Sequence, residues 1–473
     1  MKSLITYIDS VKQQYILLFL LILFAATTAF NLLDIRPIFC DECWYTNPAY
    51  NFFLGGWIKN TNVGSGGDLN FLFPFIQGLL FKVFGFSFYM ARFASVIGGL
   101  FSIYFLYLVF KTLSLKNTSI LISCTAFTGI IMYHHAFTMA RPESWAVAFS
   151  LFSIVYLLKF YNNRKTYNIV ISGVGCGLAF LAHPDTLAIS VLIGFSFLLL
   201  LIKSKQLLHV LWFLLPVVTS GILFLINQYL VYGNMFSDGI SSRSIGNSGI
   251  LSNFLSNLTA SAGIFTIASK TKIVNAVFLT CFLLIGLFFR KRHRVLFYSS
   301  LMGVGVWFIS IFVFSATAYL FLYVFIFAII NLAIITDQLR KYQPAFLLFA
   351  FVLIASAVAS NYTRTDNIHT ILKNDLKEEV IPSHAKTFGP LELWCFVPNV
   401  KYATYNYRPN QTWKEVEVQP DKMDYFIYSQ NVDMGQDYIR KPLVRKFLDY
   451  ENKELVYEQK SVYYTTIQIY KLN

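Results

Sequence analysis

The chain has 473 residues, of which 56% are hydrophobic and only 13% are charged, with a mean hydropathy of +0.56. A soluble domain carries about 25% charged residues, so the composition excludes an ordinary soluble enzyme and indicates a polytopic α-helical membrane protein. The net charge of +14 does not indicate a nucleic-acid partner, because the basic residues recur in short clusters between apolar runs.

Apolar runs of nearly membrane-spanning length recur along the chain. A helix needs about 20 such residues to cross the hydrocarbon of a bilayer. We expect eleven spans, at 14–33, 89–110, 118–136, 143–159, 167–182, 186–202, 208–231, 273–289, 295–313, 319–336 and 343–360. The run 71–85 is shorter and interrupted by Pro74 and Gly78, so it predicts an interfacial helix. Segment 250–269 is an ambiguous further candidate. The first run lacks a small-residue cleavage site, so we interpret it as a span rather than a signal peptide.

The basic residues orient the predicted bundle. One set of alternate loops holds fifteen Lys and Arg residues, whereas the intervening loops hold seven over longer stretches. Cytoplasmic loops carry the positive excess, so we expect a cytoplasmic N-terminus and an external C-terminal region. This topology brings chemically active side chains to the outer face: Asp41, Glu42, Asp68, Arg141, Glu143, His183, Asp185, Arg243 and Tyr319.

The composition changes after residue 360. Alternating apolar and polar stretches separated by turn signals predict strands, with a terminal hairpin built from 453–459 and 461–472. We therefore expect two domains, a transmembrane module over 1–360 and a small extracytoplasmic α/β domain over 361–473.

Adjacent carboxylates, Asp41 and Glu42, follow the first span. Carboxylates near a bilayer cost desolvation energy unless they bind a cation or a polar substrate or act as a base. A sugar transfer that inverts the anomeric centre needs a carboxylate to deprotonate the attacking hydroxyl. The alternative is structural, with Asp41 as the N-cap of a helix that begins near Cys43 and Glu42 favouring its positive end.

Two further outer-face segments carry candidate side chains. In the first, Arg141 could bind a phosphate and Glu143 could reach the same cleft; alternatively, Arg141 is an interface anchor and Glu143 stabilises a helix N-terminus. In the second, His183 or Asp185 could bind a phosphate or a metal ion, or the segment is a turn with Asp185 as N-cap.

Arg92 and three cysteines complete the candidates. Arg92, at the start of the second span, could bind an anionic lipid head group, although such residues are more often snorkelling anchors. Cys40 and Cys43 flank the carboxylates and could form a disulfide outside the cytoplasm, and Cys395 is a further external thiol. Cys40 and Cys43 alone are too few for a zinc site.

The order of these motifs resembles a known family. A first span is followed by Asp-Glu with a nearby Tyr, Pro74 in an apolar segment, Ala91-Arg92-Phe93, Ala140-Arg141-Pro142-Glu143 and Gly177–Leu181 before a polar turn. This order resembles the GT-C glycosyltransferases, closest to the bacterial relatives of protein O-mannosyltransferases and of the lipid A aminoarabinose transferase. Residues 314–320 also resemble a late outer loop of that group, where a Tyr precedes an apolar span.

The resemblance implies a GT-C-like bundle that transfers a hexose or pentose from a polyprenyl-phosphate sugar at the outer face of a membrane, expected to be the bacterial inner membrane. It implies Asp41 as catalytic base, Glu42 as its support and Glu143 as a second acidic residue. Arg243 and Tyr319 become candidates for the lipid phosphate.

The resemblance leaves several matters open. The acceptor would be a lipid, glycan or protein. No nucleotide sugar is implied, and a divalent metal ion is the one candidate cofactor. The chain departs from the family by having Leu72-Phe73-Pro74 in place of an acidic-basic-Pro triplet and His183 in place of a frequent Lys.

Two other functions compete with this reading. A transporter or lipid flippase would place ionisable groups near the bilayer midplane and often shows inverted repeats, neither of which is evident in the sequence. A non-catalytic membrane scaffold would leave the common sidedness of the outer carboxylates unexplained.

Overall fold

A computed structural model of the chain describes residues 2–32, 40–59, 71–203, 207–232, 270–289, 293–313, 320–362, 372, 375–376, 380–398, 400–404, 418–429, 431–432, 436–437, 442–461 and 465–473. The helices are α1 (Lys2–Ser10), α2 (Gln13–Leu32), α3 (Cys40–Phe53), α4 (Leu72–Phe84), α5 (Phe88–Thr112), α6 (Asn117–Gly129), α7 (Ile131–Thr138), α8 (Glu143–Asn163), α9 (Tyr167–Ala182), α10 (Leu187–Lys203), α11 (Val210–Tyr232), α12 (Lys270–Ile285), α13 (Arg294–Val313), α14 (Leu320–Gln338), α15 (Gln343–Tyr362) and α16 (Pro442–Leu448).

The predicted helical bundle is confirmed. Each of the eleven predicted spans coincides with a helix, or with a pair of consecutive helices, and α4 matches the expected short helix. Within the described residues, six helices are long and apolar enough to cross a membrane, or eight candidates if each bent pair is one span. The number of spans therefore stays a prediction, as does the interfacial position of α4. Segment 250–269 lies outside the described residues.

A sharp bend divides the predicted span 118–136. Helices α6 and α7 meet at 67°, and Gly129 ends α6 against the backbone of α15, where a Cβ would overlap Leu353 and Ile354. Only a glycine allows so close an approach. The bend matters for function because α7 leads directly into the segment that holds Arg141.

Two carboxylates hold the opposite end of α6. The Oδ1 atom of Asp9 accepts a hydrogen bond from the Thr118 amide at 3.0 Å, and Oδ1 of Asp337 accepts one from the Lys116 amide at 3.0 Å. Carboxylates suit the positive end of a helix. These carboxylates therefore join α1 and α14 to the N-terminal end of α6, the end opposite the bend.

The C-terminal part contains a five-stranded sheet in the order β2-β1-β3-β7-β6. Its strands are β1 (Lys386–Gly389), β2 (Lys401–Thr404), β3 (Tyr425–Ser429), β6 (Lys453–Ser461) and β7 (Thr465–Leu472), and a separate pair joins β4 (Asn431–Val432) to β5 (Gln436–Asp437). β1 is parallel to β2 and β3, whereas β7 is antiparallel to β3 and β6. The predicted terminal hairpin is β6–β7. Phe447 of α16 stacks on Phe388 of the sheet at 4.4 Å between ring centroids.

The sheet region packs against α3. Tyr50 of α3 lies edge-on to Trp394, with ring centroids 5.9 Å apart, and both side chains are buried. A disulfide joins Cys43 of α3 to Cys395. The suggested Cys40–Cys43 disulfide is therefore wrong, because Cys43 is bonded to a cysteine 352 residues away. The partner depends on tertiary contact, which cysteine spacing does not encode.

Candidate active site

Glu42 and Arg92 form a buried ion pair between the first turns of α3 and α5. The Nε and Nη2 atoms of Arg92 donate to Oε1 and Oε2 of Glu42, each at 2.9 Å. The amide of Ala140 adds a third donor to Oε1 at 2.7 Å. Both side chains are no more than 3% exposed. A bidentate guanidinium–carboxylate pair is among the strongest polar contacts in proteins, so Glu42 ties α3 to α5 and to the segment after α7.

A second buried ion pair lies one residue further along that segment. Arg141 Nη2 contacts Glu143 Oε1 at 2.8 Å, and Nε lies 3.2 Å from both Glu143 oxygens. The Ser95 hydroxyl of α5 bonds both the amide and the carbonyl of Arg141 at 3.0 Å. Arg141 also lies 5.8 Å from the ring centroid of Tyr45 on α3. The segment between α7 and α8 thus contacts α5 through Ser95 and α3 through Tyr45.

His183 extends the cluster from the end of α9. Its Nε2 atom lies 4.0 Å from Glu143 Oε1, and its Nδ1 atom lies 3.6 Å from Asp185 Oδ2. The amide of Asp185 donates to Nδ1 at 3.3 Å, so His183 caps the following 3₁₀ turn. The alternative in which Asp185 is the N-cap is wrong, because the His183 imidazole occupies the capping position of this turn.

Tyr323 is a buried member of the site that the sequence did not reveal. It lies on the first turn of α14, 1% exposed, with its ring centroid 6.4 Å from that of His183. Its electrostatic neighbours include Glu143, Asp185 and Arg141. The sequence gives little signal for it, because a tyrosine inside a long apolar run is typical of membrane helices.

Several predicted site residues lie outside what the structure describes. Arg243, Tyr319 and Asp68 lie outside the described residues, and the side chain of Asp41 does too. The backbone of Asp41 lies in α3, which already includes Cys40. Asp41 is therefore not the N-cap of a helix that begins near Cys43. Its role as a base stays a prediction.

The described residues that were predicted for the site do come together at one end of the bundle. Glu42, Arg92, Arg141, Glu143 and His183 all lie in the two linked ion pairs or next to them. Their catalytic and substrate-binding roles stay predictions. Within the described part of the chain, no group of three or more His, Cys, Asp or Glu side chains is placed to hold a metal ion, so we derive no step through a metal.

Comparisons with known proteins bear on the family and the fold. Residues 68–230 match the family model described as dolichyl-phosphate-mannose-protein mannosyltransferase. The structure is similar to ArnT from Cupriavidus metallidurans in the apo state, with a TM-score of 0.68, 10% identity, and coverage of 95% of this chain and 97% of that chain. It is also similar to ArnT bound to undecaprenyl phosphate, with a TM-score of 0.64, 11% identity and the same coverage. No curated protein sequence matches significantly.

These matches confirm the predicted GT-C fold over nearly the whole chain. At such low identity the structural similarity shows the fold alone. Together with the family match, it supports a membrane glycosyltransferase that uses a lipid-linked sugar donor.

Proposed function

We propose that this protein transfers a hexose or pentose from a polyprenyl-phosphate sugar to an acceptor hydroxyl, with inversion, at the outer face of the bacterial inner membrane. The observation that carries the proposal is the pair of linked buried ion pairs at one end of the bundle, contributed by α3, α5 and the segment between α7 and α8. Much of this machinery falls within residues 68–230, the part that matches the mannosyltransferase family model.

Asp41 is the proposed base. Glu42 is engaged by Arg92 and the Ala140 amide, and Glu143 is engaged by Arg141. A carboxylate whose oxygens already accept hydrogen bonds from a guanidinium has fewer lone pairs left for an acceptor hydroxyl. Glu42 instead fixes the turn of α3 that carries Asp41, which makes Glu42 a positioning residue.

The reaction exchanges one C–O bond at the anomeric carbon for another and transfers one proton. Asp41 takes the proton of the acceptor hydroxyl, whose oxygen attacks the anomeric carbon as the bond to the phosphate oxygen breaks. Polyprenyl phosphate leaves with the bonding electrons. Developing negative charge on the phosphate requires preorganised donors, and Arg243 and Tyr319 are the proposed ones, since Arg matches phosphate oxygens best.

The disulfide supports placing the site at the outer face. Disulfides persist in oxidising compartments and are rare in the cytosol, and Cys43 follows directly on Glu42 in α3. The clustering of Lys and Arg in the opposite set of loops supports the same orientation. On this view, residues 361–473 form an extracytoplasmic domain beside the site, and the acceptor is a lipid, a glycan or a protein.

The test uses purified protein in nanodiscs with a panel of polyprenyl-phosphate monosaccharides and candidate acceptors. We expect polyprenyl phosphate to be released only when an acceptor is present, with a product anomer opposite to that of the donor. Asp41→Asn should abolish transfer in a folded protein. Asp9→Asn is the matched control, because Asp9 of α1 contacts the N-terminal end of α6, away from the site. The side-chain oxygen of the asparagine can still accept the hydrogen bond from the Thr118 amide. Transfer by Asp41→Asn at the wild-type rate would remove Asp41 from the mechanism.

A further inference from the structure

One polar group at the site lacks a partner in the described structure. The Tyr323 hydroxyl is buried and has no hydrogen-bond partner among the described residues. Burying a hydroxyl without a partner costs about 1–3 kcal/mol on protein mutational scales. Phenylalanine would fill the same space without that cost, so stability alone does not account for a tyrosine here.

The polar side chains near Tyr323 can form further hydrogen bonds, both as donors and as acceptors. Because Nδ1 of His183 accepts a hydrogen bond from the Asp185 amide at 3.3 Å, the N–H of the imidazole is on Nε2. That nitrogen lies 4.0 Å from Glu143 Oε1, which is beyond hydrogen-bonding distance. The Asp185 carboxylate approaches Nδ1 no closer than 3.6 Å. A phenol, an imidazole N–H and a carboxylate therefore offer a mixture of donors and acceptors.

The charges in this cluster disfavour an anion. Two carboxylates, Glu143 and Asp185, lie 4.0 and 3.6 Å from the nitrogens of His183, and only one guanidinium, that of Arg141, pairs with them in the described structure, at 2.8 Å from Glu143. The ring centroid of Tyr323 lies 6.4 Å from that of His183. A phosphate would be repelled, since like charges at close range are unfavourable in a buried site. A sugar hydroxyl both donates and accepts hydrogen bonds and carries no charge, which matches the available groups.

We propose that Tyr323, together with His183 and Asp185, binds ring hydroxyls of a sugar and sets which sugar the protein selects. This inference rests on the proposed function and deepens it. It assigns the cluster to the sugar rather than to the lipid phosphate. The same chemistry could belong to the donor sugar or to a sugar acceptor, and the experiment below separates the two.

Tyr323→Phe is the informative variant, because it removes the hydroxyl and keeps the ring. Affinities for undecaprenyl phosphate and for the undecaprenyl-phosphate sugar that supports turnover would be measured by native mass spectrometry. Without ligand, the variant should unfold at the same temperature as the wild type or a higher one. We expect it to bind the sugar-bearing lipid about 3- to 10-fold more weakly, the range for one hydrogen bond, with unchanged affinity for undecaprenyl phosphate.

Tyr133→Phe is the matched control. Tyr133 of α7 is also a fully buried tyrosine, but its hydroxyl donates to the Leu322 carbonyl of α14 at 2.5 Å. Removing it should lower the unfolding temperature and leave the ratio of the two lipid affinities unchanged. The two variants should therefore move stability in different directions, and only Tyr323→Phe should move sugar recognition.

Each outcome separates the inference from the broader proposal. If Tyr323→Phe lowered the affinity for both lipids equally, Tyr323 would bind the phosphate. If neither the affinities nor the kinetic constants changed, Tyr323 would not contact the substrate. Either result overturns the inference. If donor affinity is unchanged and only the acceptor KM rises by the same factor, the hydroxyls belong to the acceptor. Absence of turnover with every donor in wild-type protein counts against the proposed function itself. In that case, the inference would still be supported if the wild type bound undecaprenyl-phosphate mannose more tightly than undecaprenyl phosphate and Tyr323→Phe abolished this difference. If the wild type bound the two lipids equally, the inference would be overturned.

Discussion

Arg92→Met should destabilise the protein strongly, because it leaves the Glu42 carboxylate buried with its charge uncompensated by Arg92. Arg92 supplies two charge-assisted hydrogen bonds at 2.9 Å, each worth about 1.5–3 kcal/mol. Breaking a buried pair by removing one partner typically costs about 3–5 kcal/mol. We therefore expect a loss of about 3–5 kcal/mol in the free energy of unfolding, far above the value for an exposed pair.

The double variant Glu42→Gln/Arg92→Met should recover most of that loss. It removes both charges, and the glutamine oxygen can still accept from the Ala140 amide that Glu42 contacts at 2.7 Å. A double-mutant cycle isolates the coupling between the two side chains. The measurement is equilibrium unfolding in mixed micelles, followed by near-ultraviolet circular dichroism.

Lys111→Met provides the matched control, since Lys111 lies on the same helix as Arg92 but is exposed. It should change stability by less than about 0.5 kcal/mol. If Arg92→Met proves no more harmful than Lys111→Met, or if the double variant is as unstable as the single one, the Glu42–Arg92 pair does not hold α3 in place. In the expected case, Arg92→Met also lowers transfer, because α3 carries Asp41.

Three further predictions concern the rest of the fold. Cys395→Ser should make the sheet region more sensitive to limited proteolysis, because losing a disulfide costs about 2–4 kcal/mol. Gly99→Ala should lower the unfolding temperature, because its Cβ would overlap a phenylalanine ring of α2 and overpacking costs about 1–3 kcal/mol. Burial and a hydrogen-bonded carboxylate raise the pKa of Tyr457 in β6. Its stabilising contribution is thus complete below its unfolded pKa of about 10 and is lost as the pH rises beyond it, so Tyr457→Phe should flatten the stability curve of the sheet region above that pH.

Each of these predictions has a control or a contrary result. Cys281→Ser, on the exposed surface of α12, should leave proteolysis unchanged. Equal cleavage of the two cysteine variants would show that the Cys43–Cys395 disulfide does not stabilise the sheet region. Gly221→Ala meets no atom within 4 Å and places a better helix former in α11, so it should keep or raise the unfolding temperature; equal unfolding temperatures for both glycine variants would refute the packing argument. An identical alkaline decline in wild type and Tyr457→Phe would exclude the tyrosine as its source.

The sequence predicted the apolar helices well, because a span of about 20 apolar residues is a strong signal in one dimension. It did not predict α3 in full, since Asn47 and Pro48 disfavour a helix interior although α3 continues through them. The bend after Gly129 was also missed, because it depends on how closely α15 approaches. Such features depend on neighbours in space.

The cluster of buried ion pairs was predicted only in part, because its pairing also depends on neighbours in space. The order of Glu42, Arg92, Arg141 and Glu143 flagged the relevant segments, yet nothing in the sequence specified which carboxylate pairs with which guanidinium. Tyr323 carried little local signal. Its importance follows from the polar groups that α8 and the turn after α9 bring to it.

The bond between Cys43 and Cys395 has a consequence for biogenesis. Its two cysteines are 352 residues apart, so the bond can form only after nearly all of the helices have been synthesised. Cys43 must therefore remain a thiol throughout insertion of the bundle, exposed to other oxidants and to premature pairing with Cys40. Disulfide formation then marks the arrival of the C-terminal region on α3. With the proposed outward orientation, a cell that cannot oxidise or reshuffle thiols outside the cytoplasm should accumulate an inserted but incompletely assembled protein.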